Sequence, residues 1–302
     1  MNAPSDSTAL ALLNERRDLL HRMWALTAIG ITSGSATLTA CGGGSGGTAA
    51  VAVPAPGPAA GPAPAAVPPP PPAPPSPSSP PPAPAPASSA PALGAHALNF
   101  NRDGVTSSSL STPAMSTRAT GSTLLACVGR GLLAAPAPTD NVGNAFVQLG
   151  APHIYTLWPS SGTSLHACEK ARGMAGHVVT VAKPKVTDET TLSVVEIANG
   201  GSVRDVQWRE VLSGQPLTSA SVTTIGPALL VAWWWGDAGV DQDKTAVPDN
   251  GFSVIDSVLA SGALVQGAVA VKQVSVAGTY NVTWASTPQQ GAQLWLVAVQ
   301  AG

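Results

Sequence analysis

Charge is scarce in this sequence. Of 302 residues, 14 are Lys or Arg and 16 are Asp or Glu, for a formal net charge of -2, and no basic cluster occurs beyond the amino-terminal segment. Surfaces that hold nucleic acid draw most of their affinity from Lys and Arg on phosphates, so nucleic acid is excluded as a main partner. Long apolar runs are missing too. The segment Met23 to Ala40 is diluted by Thr27, Gly30, Thr32, Ser33, Gly34, Ser35 and Thr37, which falls short of the roughly 20 strongly apolar residues of a membrane span. No convincing helix is legible, and no catalytic signature stands out. Gly43-Gly44-Ser45-Gly46-Gly47 spells a nucleophile elbow, and Gly42, Gly44 and Gly47 spell a dinucleotide loop. Both patterns need a strand before and a helix after; here a proline-rich stretch follows.

What is present near the amino terminus is an ordered set of signals. An arginine pair, Arg16-Arg17, precedes a modest apolar run that ends in small residues, the layout of a cleaved export signal. Leu38-Thr39-Ala40-Cys41, followed by Gly42-Gly43-Gly44, resembles the lipobox of bacterial lipoproteins. The resemblance implies cleavage before Cys41, a diacylglyceryl group on its thiol and usually an acylated amino terminus. Two or three chains hold a protein stably where one does not. Glu15-Arg16-Arg17-Asp18-Leu19-Leu20-His21 resembles a twin-arginine signal, with Glu15, Leu19 and His21 departing from its commonest residues. That route carries folded cargo, so folding would not depend on a disulfide. Gly42 is not the Asp that retains lipoproteins of enterobacterial relatives at the inner membrane, and the expected location is the outer membrane, facing periplasm or cell exterior.

Residues 1–40 are thus read as signal peptide and 41–93 as lipidated Cys41 plus linker. The linker opens as a Gly/Ser tether and passes into Pro68-Pro69-Pro70-Pro71-Pro72 and Pro80-Pro81-Pro82. Proline fixes φ and removes donors, so a disordered Pro/Ala-rich stalk in extended polyproline II is expected, about 3.1 Å per residue and on the order of 100 Å in all.

From residue 94 to 302 the texture changes to short runs of Val, Leu, Thr and Ala broken by Gly and Asn-Gly at roughly ten-residue intervals, the pattern of an all-β sandwich or barrel. The two halves echo one another. Leu124-Leu125-Ala126 answers to Leu229-Leu230-Val231, Gly143-Asn144-Ala145-Phe146 to Asp249-Asn250-Gly251-Phe252, Val179-Thr180-Val181-Ala182 to Val282-Thr283-Trp284-Ala285, and Leu192-Ser193-Val194-Val195 to Leu294-Trp295-Leu296-Val297. The expected fold is a two-sheet antiparallel sandwich, jelly-roll-like, built from pseudo-repeats at about 115–200 and 218–302. Two four-stranded units close their apolar faces on each other, since neither buries its face alone; the segment from 105 to 115 could extend one edge. The turn chemistry resembles β-sandwich modules of secreted bacterial proteins, which implies fold, not activity.

Several residues are candidates for function. In Trp233-Trp234-Trp235 the outer two rings share one strand face and Trp234 takes the other. This alignment places Val128, Gly129 and Arg130 opposite the triplet, so Trp234 and Trp235 are read as an exposed platform for a polysaccharide or other envelope component, beside Asp237, Asp241 and Asp243. The alternative is rings that cap the sandwich. Asp237, Asp241, Asp243 and Asp249 also offer oxygen ligands for a structural calcium ion, without an EF-hand pattern; no other cofactor is expected. Cys127 and Cys168 form a disulfide or are plain core residues. His166 and Cys168 share a face and could hold zinc with His153 or His177, although clustered ligand spacing is absent. For hydrolysis, Glu196 with Asp205 or Glu210 is the candidate acid pair. The favoured function is a non-catalytic envelope lipoprotein that displays a binding module; a lipid-anchored glycoside hydrolase is the alternative.

Overall fold

The computed structural model describes residues 90–301 other than 102–105, 131–135, 157, 214–216, 238–244, 260–264, 286 and 288–289. The signal, lipobox and stalk lie outside these residues. The described part is all-β, as the turn spacing predicts. Eight strands of nine residues or more form its frame: β1 (Ala92–Asn101), β2 (Ser122–Arg130), β3 (Trp158–Ala171), β4 (Thr190–Ala198), β5 (Ser202–Ser213), β6 (Ala228–Asp237), β7 (Val265–Val274) and β8 (Gln290–Gln300). They make two antiparallel sheets in the orders β1-β4-β2-β3 and β5-β8-β6-β7. Short strands 147–148 and 153–155 extend the first beyond β3, and Ser253–Val258 extends the second beyond β7.

The duplication extends through the small sheets. Ser109–Ser111, Val179–Ala182 and Thr139–Asp140 form one three-stranded sheet, and Leu217–Thr218, Thr283–Ala285 and Val247–Pro248 form its copy in the same order. Met115–Ser116 pairs with Ala175–His177 as Val222–Thr224 pairs with Gly278–Tyr280. Each half therefore begins a strand earlier than the sequence blocks suggest. Residues 92–101 and 202–213 are equivalent edge strands, so 202–213, which falls between the two expected repeats, opens the second half. The segment near 110 joins a small sheet.

The expected two-sheet sandwich is the centre of the molecule. Leu125, Cys127, Leu165, Ala167, Val195 and Ile197 of the first sheet meet Leu229, Val231, Trp233, Val269, Trp295 and Val297 of the second. Two further layers lie outside it. The opposite face of the first sheet, with Leu124, Ala126, Val128, Leu192 and Val194, is covered by Leu110, Val179 and Val181 of the small sheet and by Met115 and Phe146. In the second half Leu230, Ala232, Trp234, Leu294 and Leu296 are covered by Leu217, Val222, Trp284 and Phe252. Both faces of the inner strands are thus dry, which explains why β2, β6 and β8 read as unbroken apolar runs without strand alternation. Each half has a core of its own as well as a share in the common one.

Candidate functional site

The tryptophan triplet lies inside. Trp233, Trp234 and Trp235 are 2%, 0% and 2% exposed, so the reading of Trp234 and Trp235 as an exposed platform is corrected. Trp233 enters the central layer, Trp234 the second half's own core, and Trp235 packs edge-on to Tyr155 with ring centroids 5.8 Å apart. The triplet cannot enter one layer; it enters two, because both faces of its sheet are covered.

Register also corrects the pairing of the repeats. Leu192 lies opposite Val128, and its counterpart Leu294 lies opposite Trp234. Val128 therefore answers to Trp234, Cys127 to Trp233 and Gly129 to Trp235, one residue away from the alignment of Leu124 with Leu229. A one-residue slip exchanges the two faces of a strand, and here both faces are apolar, so no change of residue type marks the slip.

The three candidate acids point to three separate places. Glu196 is 1% exposed and accepts hydrogen bonds from Ala95 N at 2.9 Å, Arg118 N at 2.8 Å and Ser122 Oγ at 2.5 Å. It ties the start of β1, the 118 turn and β2 together on the first half's outward face. Asp205 accepts from Thr223 N at 2.8 Å, Thr223 Oγ1 at 3.0 Å and Gln207 Nε2 at 2.8 Å. Burial alone would raise its pKa, but these bonds outweigh it and hold the carboxyl below its ordinary value. Glu210 crosses between the halves, accepting from Thr156 N at 2.8 Å and Thr156 Oγ1 at 2.5 Å. Glu196 and Asp205 belong to the far faces of the two large sheets, with the central layer between them, so they form no acid pair.

The remaining expectations scatter likewise. Asp241 and Asp243 lie outside the described residues, as does the side chain of Asp237, while Asp249 accepts from Thr283 N at 2.7 Å. Among the described residues no group of three or more His, Cys, Asp and Glu is placed to hold a metal. Cys127 and Cys168 are both buried and free. Cys127 faces the central layer and Cys168 the first half's own core, so the two thiols stand on opposite faces of the sheet and the disulfide is corrected to plain core residues. Burial pushes the Cys127 thiol above its ordinary range; burial, then the charge of Asp140, raises that of Cys168. The zinc trio is dispersed as well. His153 stacks on Trp208, centroids 3.8 Å apart and planes 6° from parallel, at the seam between halves, with its pKa lowered by burial against the opposing charge of Glu210. His166 lies in the first half's core.

Two groupings were not anticipated. The first is a difference between the duplicates. Where the second half has Trp234, Ala270 and Gly236, the first has Val128, His166 and Arg130, and Val181 stands for Trp284. His166 is 2% exposed and its Nδ1 is buried with no hydrogen-bond partner. Burial, then the charge of Arg130, pushes its pKa down to about 4 against a hydrogen bond to the Ala126 backbone. Arg130 is itself lowered to about 10 by burial, offset in part by Asp188.

The second grouping joins Asp140, His177 and Thr117. Asp140 Oδ1 accepts from the backbone N of Val142, Gly143 and Asn144 at 3.1, 2.7 and 2.9 Å. Its Oδ2 accepts from Asn144 Nδ2 at 2.7 Å and lies 2.9 Å from His177 Nε2. Both side chains are wholly buried. His177 Nδ1 lies 2.8 Å from Thr117 Oγ1, and Thr117 is only half-buried. Residues so far apart in the chain offer no local pattern; the pairing of Met115–Ser116 with Ala175–His177 brings Thr117 to His177, and that of Thr139–Asp140 with Val179–Ala182 brings Asp140. No protein-family model, curated protein or solved structure matches the chain.

Proposed function

We propose that the protein is an outer-membrane lipoprotein, acylated at Cys41, that displays a duplicated β-sandwich at the end of a proline-rich stalk. The observation behind the anchor is Leu38-Thr39-Ala40-Cys41 at the end of a short apolar run, followed directly by a spacer that cannot form a core. The domain's own chemistry agrees with export in the folded state. Its two thiols are free and buried, so its stability does not wait for an oxidising compartment. The partner is an envelope component, and with Trp234 and Trp235 buried it is not held on an indole platform made by those two rings. The hydrolase reading has no observation in its favour, since Glu196, Asp205 and Glu210 are each engaged in fastening neighbouring segments.

Labelling of growing cells with an alkyne-tagged fatty acid tests this reading. Label should appear on the native chain, vanish in Cys41→Ser, and be accompanied by release of that variant into the soluble fraction. Unlabelled native protein with residues 1–40 still attached would overturn it. Replacement of Arg16 and Arg17 by Lys should retain the precursor in the cytoplasm if export follows the twin-arginine route.

A further inference from the structure

Asp140, His177 and Thr117 share a geometry that ordinary fastening does not require: a hydroxyl at the surface, an imidazole behind it, and a carboxylate behind the imidazole. Burial alone would raise the Asp140 pKa, but hydrogen bonds from Asn144, His177 and Gly143 outweigh it and hold the carboxyl below its ordinary value. An ionised carboxylate is an acceptor only, so Nε2 of His177 must carry the proton that bridges to Oδ2. With that tautomer Nδ1 is free to accept, and Thr117 Oγ1, 2.8 Å away, is placed to donate to it, the Met174 carbonyl at 3.5 Å being its more distant alternative. Nucleophile, base and orienting group within hydrogen-bond reach are the recognisable parts of an activated hydroxyl.

The local chain is shaped around that hydroxyl. Gly173 passes so close that a Cβ there would sit 2.2 Å from Thr117 Oγ1, and Gly176, just before His177, has φ +77, a left-handed conformation that favours glycine. Met174 N donates to Thr117 Oγ1 at 3.1 Å, which fixes the oxygen while leaving it a lone pair. The second half supplies a comparison within the same molecule. Val222 pairs with Tyr280 as Met115 pairs with His177. Thr224, standing where Thr117 does, donates to the Val276 carbonyl at 3.3 Å. Tyr280 turns its hydroxyl to that same carbonyl at 3.0 Å. Threonine is shared by both halves; the base and its carboxylate belong to the first alone.

We propose that Thr117 is a nucleophile toward activated acyl esters, with His177 as its base and Asp140 as the positioning residue behind the ring. Thr117 Oγ1 bonds to the acyl carbon as the carbon–oxygen bond to the leaving alcohol breaks. The threonine proton passes to His177 Nδ1 and on to the departing alkoxide, leaving an acyl-threonine. Water attacking that ester, its proton taken by the same nitrogen, releases the carboxylic acid and returns the hydroxyl. This activity goes beyond the display reading and stands or falls separately from it.

The test uses the folded full-length chain and 4-nitrophenyl acetate, with release of nitrophenol and peptide mass mapping as readouts. One acetyl adduct at Thr117 is expected, and its rate of formation is followed as a function of pH. Thr117→Ser should keep the adduct, whereas Thr117→Val and His177→Gln should slow acylation about 100-fold or more. Asp140→Asn should displace the pH profile. Because His177 is buried, His177→Gln could fail to fold; Thr117 is half-exposed, and the Val and Ser variants then decide. An unmodified wild type, a rate unchanged in Thr117→Val, or acetylation confined to lysines would overturn the proposal.

Discussion

Gly129 and Trp235 occupy equivalent positions in the two halves and lie against each other: a Cβ built on Gly129 would sit 1.8 Å from Trp235 Nε1. A duplicated chain that folds back on itself meets a steric problem here, because bulky residues at equivalent central positions would compete for one space. The halves divide the volume. The second contributes Trp233, Trp235 and Trp295; the first has Cys127, Gly129 and Ser193 at the matching sites. Two of the three indoles also find partners across the layer, Trp233 Nε1 donating to Ser193 Oγ at 3.0 Å and Trp295 Nε1 to Thr163 Oγ1 at 2.8 Å, whereas Trp235 Nε1 is buried without one. Buried indole N–H groups are costly when unpaired, so the small polar residues of the first half do more than make room.

Trp234 fills the second half's own core with no exposure. Trp234→Ala should cost about 3–5 kcal/mol, a large share of the stability of a typical domain. Chemical denaturation should show a lower midpoint. An unchanged midpoint would mean that the ring is solvated after all.

Glu196 holds three donors from three segments. Glu196→Gln leaves one oxygen; kept toward Arg118 N and Ser122 Oγ, which share Oε1, it turns the amide N–H against Ala95 N, at a cost of about 1–3 kcal/mol. The measurement is again the unfolding midpoint, and exchange of the Ala95 and Arg118 amides with deuterium should accelerate in the variant.

The buried His166 predicts a pH dependence with a definite sign. Its folded pKa, down to about 4, lies below the ordinary value of about 6.5. Between these values the unfolded chain binds the proton and the folded chain does not, so stability rises with pH across that window. The loss on acidification amounts to at most about 1.4 kcal/mol per pH unit. His166→Leu should flatten this slope while carboxylates such as Asp140, also depressed, continue to lose stability at lower pH. An unaltered slope would place the titration elsewhere.

The thiols give a simple check. Cys127 and Cys168 are buried and unbridged, so a thiol reagent should modify neither in the native domain and both in denaturant. Reduction should change neither the melting temperature nor electrophoretic mobility. A stability loss on reduction would show a bridge.

Fold class was legible because turn residues recur at strand intervals, and the duplication because Phe146 with Phe252 and Leu192 with Leu294 recur in matching contexts. The layers were not. Leu124 to Val128 and Ala228 to Trp235 lack alternation, and apolar runs without alternation conceal which residue faces which side. That is why Trp234 and Trp235 looked exposed. Glu196 looked like a catalytic acid because its three donors come from distant segments. The link from Asp140 through His177 to Thr117 was invisible for the same reason: it exists only once the small sheets are paired.

The division of space between Gly129 and Trp235 is best tested by a double-mutant cycle in unfolding free energy. Gly129→Ala alone should destabilise by about 1–3 kcal/mol or more, since the added methyl has no room. In a Trp235→Gly background the same methyl should cost far less, giving strong coupling between neighbours. Additive effects would contradict the packing of the two halves described above.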